Sequence, residues 1–330
     1  MNILIGSEGD QSEVLQMIEG NAQLGREISR LKRQRGAIIL AHNYQRGEVQ
    51  DLADFVGDSL ELSQNAAKTE AKVIVFCGVH FMAETASILC PDKKVLLPDI
   101  NAGCPMANMV TAEKLMAKKK EVPDATVVCY INSSAPVKAE SDVCCTSANA
   151  VKVIESLDTE KVLFVPDQYL GHYISTKTDK KMILWPGYCP THVKIQAQDI
   201  INQKDEHPDA KVVVHPECRP EVIGLADEVL STGGMCRFAK QTDAKVVIVG
   251  TEVGIIHRLS KENPDKEFIA ASRKAICPKM KRITLEKVLW ALQDMAPEVR
   301  VAEEIRIRAK RAVDKMLEIG RVDQRLASVN

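Results

Sequence analysis

The sequence predicts an α/β protein of three similar βαβα domains, whose small parallel sheets are arranged about a pseudo-three-fold axis. The first observation is that Cys-Pro dipeptides recur at Cys104, Cys189 and Cys277, which are 85 and 88 residues apart. The second is that strand-like apolar runs recur at spacings of 89 and 85 residues, each followed by a further apolar run with nearly the same period. Strand–helix copies of this length are too long for a solenoid, and their alternation predicts parallel sheets.

The elements of the first repeat follow from its residue pattern. Before it, residues 1–36 are predicted to be helical, with Ser12 as a cap and a basic end. The branched aliphatic run IILAH predicts a buried strand. Residues 51–71 predict two helices that are separated by a break at Gly57-Asp58, and VIVFCG and VLLPD predict two more strands around another helix.

The other two repeats show the same order of elements. After Thr284, two stretches with apolar residues at i, i+3, i+4 and i+7 predict amphipathic C-terminal helices that pack on the first repeat. The predicted organisation is a helical segment at 1–36, α/β repeats at 37–107, 108–189 and 190–280, and C-terminal helices at 281–330.

Composition and charge are those of an ordinary globular enzyme. The chain has 330 residues, of which 45% are hydrophobic and 27% charged, and its net charge is −1. This balance gives no electrostatic reason to expect nucleic acid or membrane as a partner. The N-terminus has no basic region of the signal-peptide type, so we expect a cytoplasmic location. Ten cysteines in that compartment indicate metal or redox chemistry rather than disulfides.

The three Cys-Pro cysteines are the candidate metal ligands. Equivalent positions of three repeats face one another near a pseudo-three-fold axis, so three equivalent thiolates could converge on one point. We therefore predict that Cys104, Cys189 and Cys277 hold a metal. The other cysteines are interpreted as buried packing residues, namely Cys77, Cys90, Cys129, Cys144, Cys145, Cys218 and Cys236.

Polar side chains follow the first strand of each repeat, at the sheet edge where ligands bind in open α/β folds. They supply imidazole, phenol, amide and carboxylate groups, which are suited to proton transfer. Small hydroxyl residues begin the helix that comes next, and helix N-termini of this kind hold phosphates or carboxylates. The strand-end residues are His42-Asn43-Tyr44, Tyr130-Ile131-Asn132 and His215-Pro216-Glu217, and the helix-start residues are Asp58-Ser59, Thr146-Ser147 and Ser231-Thr232.

The ordered motifs AHNYQRGEVQDLADFVGDSLELSQNA, GCPMA, YINSSA, TSANA, WPGYCPTH, VHPEC and STGGM closely resemble those of the quinolinate synthase family of bacteria and archaea. The resemblance covers roughly residues 35–290. It implies a fold of three similar α/β domains and a 4Fe-4S cluster held by three cysteines, with one open iron. It also implies condensation of iminoaspartate with dihydroxyacetone phosphate to quinolinate in NAD biosynthesis, with loss of phosphate and two waters.

The resemblance also implies roles for individual residues. Cys104, Cys189 and Cys277 match the cluster ligands, and Cys277 stands without the Cys-x-x-Cys-x-x-Cys motif that some members carry at this ligand. Tyr44 and Glu217 match the main proton-transfer residues, with His42 and Tyr130 as further catalytic candidates. The predicted substrate-binding residues are His42, Ser59, Tyr130, Ile131, Asn132, Ser147, His215, Pro216, Glu217, Ser231 and Thr232. No role is assigned to His80, His172, His192 or His257.

Three other classes of protein would also use cysteine ligands of this kind. An electron-transfer iron–sulfur protein needs a fourth cysteine, and none follows the period. A zinc enzyme with three thiolates and an open position is compatible with the spacing. An aconitase-like hydro-lyase that acts on another small acid is the nearest enzymatic alternative. The expected partners are the two small-molecule substrates and, by transient contact, an aspartate oxidase or dehydrogenase that supplies iminoaspartate.

Overall fold

Each sequence repeat forms its own four-stranded, all-parallel sheet. The computed structural model describes residues 8–327, and describes side chains within residues 19–319. The first repeat contains strands β1 (Ala37–His42), β2 (Phe55–Gly57), β3 (Val73–Cys77) and β4 (Lys94–Leu96). The helices before and within it are α1 (Glu8–Arg35), α2 (Gly47–Leu52), α3 (Ser59–Lys68) and α4 (His80–Leu89).

The second and third repeats have the same elements in the same order. The second has β5 (Thr126–Tyr130), β6 (Val143–Cys145), β7 (Lys161–Val165) and β8 (Lys181–Leu184), with α5 (Ala112–Glu121), α6 (Ala135–Ala139), α7 (Ala150–Glu155) and α8 (Gln168–Ser175). The third has β9 (Lys211–Val214), β10 (Glu228–Val229), β11 (Val246–Gly250) and β12 (Glu267–Ala270), with α9 (Ala197–Glu206), α10 (Pro220–Ile223), α11 (Thr232–Gln241) and α12 (Ile255–Glu262). Helices α13 (Leu285–Asp294) and α14 (Glu303–Ala327) end the chain.

The three sheets share one strand order, β2-β1-β3-β4, β6-β5-β7-β8 and β10-β9-β11-β12. Strand β3 is buried along its whole length, as expected for a parallel sheet that is covered on both faces. The predicted α/β class with three similar domains is therefore confirmed. The arrangement of the domains about a pseudo-three-fold axis stays a prediction.

Sequence reasoning missed the short edge strand of each sheet. The stretch around Phe55, predicted as helix, forms β2 beside β1. Asp54 causes this, because its carboxylate accepts the N–H of Ile39 at 2.8 Å while its own N–H bonds the Ile39 carbonyl. Asp142 and Asp227 accept the N–H groups of Val127 and Val212 at 2.8 Å in the same way before β6 and β10.

Two expectations for the chain ends need correction. Ser12 lies inside α1, which begins at Glu8, so it is not the helix cap, and residues 1–7 lie outside the described part. Helix α13 packs mainly on α1, which precedes the first repeat, and also on β3, whereas α14 lies against α6 and β6 of the second repeat as well as α4 of the first. Its Ala309 is buried in one apolar cluster with Ile88 and Ala135. Apolar side chains of both repeats are therefore covered by one helix.

Within residues 8–327, no helix is both long enough and apolar enough to cross a membrane.

Candidate active site and metal centre

The three Cys-Pro loops meet at one internal cavity of about 180 Å³. Cys104, Cys189 and Cys277 all line it, although they lie far apart in the chain. Each is unpaired and partly buried. The three cysteines therefore converge on one cavity, as the sequence repeat predicted. Polar groups from all three repeats line the same cavity.

A short 3₁₀ turn follows each of the three Cys-Pro dipeptides at Cys104, Cys189 and Cys277, and backbone N–H groups at its start stabilise the cysteine thiolate. The turns are Met106–Met109, His192–Lys194 and Met280–Arg282. Proline suits the start of such a turn because its φ is already helical and it has no N–H to leave unbonded. The donors are the second and third residues after each cysteine: Met106 and Ala107 for Cys104, Thr191 and His192 for Cys189, and Lys279 and Met280 for Cys277.

These N–H donors, together with burial, influence which kind of group the three cysteines can bind. Burial raises the pKa of Cys104 to about 12, and it also raises the pKa values of Cys189 and Cys277. The N–H groups of the turns act in the opposite direction, because they stabilise the thiolate. Three buried thiols with such donors suit a positive metal centre, which binds thiolates and supplies the missing charge. The residues present therefore fit a cysteine-ligated metal group.

A chain of four polar side chains lies beside the cysteines, and three of its members, Tyr44, His192 and Glu217, line the cavity. Nδ1 of His192 is 2.8 Å from Oε2 of Glu217, and Nε2 of His192 is 2.8 Å from Oγ1 of Thr251. The phenol oxygen of Tyr44 is 2.5 Å from the same Thr251 oxygen. Since the carboxylate can only accept, Nδ1 carries the proton, and the hydrogen bonds run from Tyr44 through Thr251 and His192 to Glu217.

Glu217 is the acidic centre of this network, and it is 2% exposed. Its second oxygen accepts the hydroxyl of Tyr130. Burial opposes its ionisation, but the His192 ring at 2.8 Å, the nearby His215 ring and the Tyr130 hydroxyl hold its pKa below the usual range. Asn132 also lines the cavity, with its Nδ2 3.5 Å from the same Glu217 oxygen. This carboxylate is therefore ionised at neutral pH.

His42 and His215 occupy equivalent places in the first and third repeats. Burial lowers the pKa of each to about 3, so both rings are neutral at neutral pH. In each, Nδ1 accepts a backbone N–H two residues later in the chain, from Tyr44 at 3.1 Å and from Glu217 at 3.3 Å. The proton therefore sits on Nε2, and His215 donates it to the hydroxyl oxygen of Ser147 at 3.1 Å.

The predicted hydroxyl groups meet on the same cavity wall. Ser59, Ser147 and Thr232 line it, and Thr232 accepts a hydrogen bond from Nδ2 of Asn43 at 2.9 Å. Ser59 and Thr232 are the first residues of α3 and α11, so the N-termini of both helices lie at the cavity. Ser231 does not line this cavity. It caps α11 and donates to Asp58 at 3.2 Å.

Three of the predicted substrate-binding residues, Ile131, Pro216 and Ser231, do not line the central cavity. Ile131 is buried, and its N–H bonds the Cys145 carbonyl at 2.8 Å. Pro216 and Ser231 line a neighbouring cavity of about 550 Å³, which shares Asp58 and Ser147 with the first. His80, His172 and His257 lie on α4, α8 and α12, and they do not line the central cavity. The remaining cysteines are all buried, in agreement with a packing role.

From the sequence alone, His192 had no role, Thr251 was missed as a site residue, and Asp58 was named only as a neighbour of Ser59 at the start of a helix. Thr251 directly follows β11, whereas Gly78 and Pro166 hold this place after β3 and β7, so no repeated residue type marked it. Asp58 lines the cavity and caps α3 through the N–H groups of Leu60 and Glu61. Thr251 could have been predicted only from its position, because it directly follows a strand.

The fold and the site together define an α/β protein of the enzyme type, in which three cysteines that could hold a metal share a cavity with hydrogen-bonded acid and base side chains. The model of the quinolinate synthetase A protein family matches residues 26–318 of this chain. The chain therefore belongs to the quinolinate synthetase A family.

Named relatives agree with this assignment. The chain is 60% identical over 296 residues to the quinolinate synthase of Dehalococcoides mccartyi strain CBDB1, covering 90% of this chain and 98% of the relative. It is 56% identical over 298 residues to the quinolinate synthase of Methanosarcina barkeri, with the same coverage of both chains. A quinolinate synthase of a Geobacter species, strain M21, is 58% identical over 295 residues, covering 89% of this chain and 97% of the relative. The resemblance seen in the motifs is thereby confirmed as family membership.

Proposed function

We propose that this enzyme condenses iminoaspartate with dihydroxyacetone phosphate to quinolinate, releasing phosphate and two waters. The family and the names of its relatives support this reaction. The observation that carries it is that Cys104, Cys189 and Cys277 line the same cavity as Tyr44 and Glu217. A condensation followed by two dehydrations needs proton donors and acceptors beside a centre that polarises oxygen, and this cavity offers both.

The proposed cofactor is a 4Fe-4S cluster held by Cys104, Cys189 and Cys277. When bound, it supplies one iron with an open coordination position that acts as a Lewis acid on substrate oxygen atoms. The N–H groups of the 3₁₀ turns stabilise the three ligand sulfurs as thiolates. Hydrogen bonds to ligand sulfurs are one of the ways in which a protein tunes such a cluster.

Tyr44 is the proposed acid/base residue at the substrate. Burial raises the pKa of its phenol well above the ordinary value, so the group is protonated at rest and can donate. To take a proton it needs a route for its own, and Thr251 and His192 supply one toward Glu217. Tyr130, which donates to Glu217, can present its hydroxyl oxygen to the substrate from the second repeat.

Anionic groups of the substrates are proposed to bind on the hydroxyl-lined wall. Ser59, Ser147 and Thr232 supply hydroxyl groups beside helix N-termini, which favour carboxylate and phosphate. Neutral His42 adds an Nε2–H donor there, while His215 holds Ser147. Lys194 and Lys279 line the cavity as well and supply positive charge.

The domain boundaries, the location in the cell and the protein partner are proposals as well. The domain boundaries at 37–107, 108–189 and 190–280 are supported by the three sheets that lie within them. The ten unpaired cysteines support a cytoplasmic location, where thiols stay reduced. Iminoaspartate is proposed to arrive from an aspartate oxidase or dehydrogenase through transient contact.

The experiment is metal analysis and product assay on anaerobically purified protein. We expect about four irons and four acid-labile sulfides per chain, and quinolinate from the two substrates. Cys277→Ala should lose iron and activity, whereas Cys90→Ala, in which the changed thiol is buried away from the cavity, should retain both. Zinc without sulfide would overturn the cluster, since Cys189, His192 and Glu217 have ligand atoms within 4.8 Å of one another and could hold a single ion. Iron without quinolinate would favour the aconitase-like alternative.

A further inference from the structure

One backbone hydrogen bond recurs in all three repeats and identifies equivalent positions. It joins a residue just after the third strand of the repeat to the carbonyl group two residues before the cluster cysteine. The pairs are His80 to Ala102 at 2.7 Å, Gln168 to Gly187 at 2.8 Å and Val253 to Ala275 at 3.0 Å. The residues directly before these donors, Val79, Asp167 and Glu252, are therefore structural equivalents. Two of the three are carboxylates.

Glu252 is completely buried, and it bonds the backbone of a proposed ligand. Its Oε1 accepts the N–H of Cys277 at 3.0 Å, and its Oε2 accepts the N–H of Gly254 at 2.7 Å. Nζ of Lys281 lies 3.0 Å and 3.1 Å from the two carboxylate oxygens. The same ammonium donates to the carbonyl of Tyr44 at 2.5 Å. One buried ion pair thus connects the Cys277 loop to the backbone of Tyr44.

Asp167 occupies the equivalent place in the second repeat. It is also completely buried, and its Oδ1 caps α8 by accepting the N–H groups of Tyr169 and Leu170, both at 2.8 Å. Its Oδ2 has no hydrogen-bond partner among the described residues, and its backbone pairs with Gly187, two residues before Cys189. Val79 lines the cavity in the first repeat, so the Cys104 loop has no carboxylate at this position.

We propose that Glu252 is a positioning residue, which holds the backbone of Cys277 in the geometry that the metal centre needs, and that Asp167 is its counterpart beside Cys189. This rests on the proposed ligand set, but not on the proposed reaction. Burying the Glu252 carboxylate is costly unless its partners are supplied, and here two backbone N–H groups and Lys281 supply them. A carboxylate accepts a stronger hydrogen bond from a backbone N–H than a neutral acceptor does.

The test measures each ligand separately during metal loss. Metal-loaded protein is treated with a ferrous chelator and iodoacetamide, and the alkylation rates of Cys104, Cys189 and Cys277 are followed by mass spectrometry. In Glu252→Gln we expect the rate ratio of Cys277 to Cys104 to rise about tenfold, which corresponds to the loss of one charged hydrogen bond. In Asp167→Asn the ratio of Cys189 to Cys104 should rise similarly. Each variant is the control for the other.

In Glu252→Gln and Asp167→Asn the new amide could turn its oxygen toward the former partner of the carboxylate and so keep the contact. A second pair of variants excludes this outcome. Glu252→Met and Asp167→Ala remove both oxygens, and they should show the same selective rise. An equal rise at all three cysteines, or ratios within twofold of the parent in every folded variant, would overturn the proposal. Because the readout is the labelling of three thiols, it stays valid if quinolinate is not formed. A failure of the proposed function is thereby distinguished from a failure of this inference.

Discussion

The phenol oxygen of Tyr44 lies 2.5 Å from the hydroxyl oxygen of Thr251, which joins the first repeat to the third. His192, which lies in the turn after the proposed ligand Cys189, contacts both Thr251 and Glu217. These three residues belong to the third repeat, so the packing of the first repeat against the third is what brings Tyr44 into the network.

Replacing Tyr44 by Phe removes the hydroxyl at the end of this network. Because the ring remains, we expect iron content and folding to be retained while kcat falls about a hundredfold or more. Anaerobic quinolinate assays and metal analysis on the same preparation measure both quantities. A kcat close to that of the parent would remove Tyr44 from the catalytic residues.

The hydroxyl of Thr251 is expected to matter because it links Tyr44 and His192. Thr251→Val keeps the shape of the side chain but breaks two hydrogen bonds, so kcat should fall about tenfold or more. Thr251→Ser keeps the hydroxyl and serves as the matched control, with kcat close to the parent. If both variants were equally impaired, the role of Thr251 would be packing rather than proton transfer.

Gly187 precedes the proposed ligand Cys189 by two residues, and it has no room for a side chain. A Cβ there would lie 2.4 Å from the carbonyl oxygen of Pro166, which is backbone and cannot simply turn away. Gly187→Ala should lower the free energy of unfolding by about 1–3 kcal/mol. Gly103→Ala is the control, since a Cβ at Gly103 meets nothing within 4 Å. Denaturant titration of both variants compares the two costs.

The free energy of unfolding should decrease as the pH is lowered, because His42 and His215 are buried as neutral rings. Burial lowers the pKa of both rings to about 3, whereas an unfolded histidine titrates near 6.5. Between these values the unfolded chain binds more protons than the folded chain does. The contribution of each ring is therefore complete above about pH 6.5 and is lost as pH falls toward 3, by roughly 2 kcal/mol at pH 5.

Unfolding of the metal-free protein between pH 7 and pH 5 measures this effect without interference from metal loss. The parent should lose stability across this interval, and His215→Asn should show a shallower dependence because one titrating group is gone. An identical slope in parent and variant would show that His215 is not buried in its neutral form.

Much of the fold could be predicted because repetition is visible in the chain itself. The period of the Cys-Pro dipeptides, and of the apolar runs, indicated three α/β units before any contact was known. The edge strands β2, β6 and β10 were missed because strands of two or three residues, such as Phe55–Gly57, carry no periodic pattern, whereas β4 at the opposite edge was predicted from the apolar run VLLPD. Their pairing is set by Asp54 and its equivalents, whose partners are backbone groups rather than a sequence motif.

Recurring residue types at strand ends and turns were visible along the chain, and with the family resemblance they made Cys104, Cys189, Cys277, Tyr44 and Glu217 candidate site residues before any contact was known. The links from Tyr44 through Thr251 and His192 to Glu217, and from Glu252 to the backbone of Cys277, became visible only in the folded chain. Propensity and period act between residues that are close in the chain. These hydrogen bonds join residues that are 25 or more positions apart, and no local pattern encodes which distant groups meet.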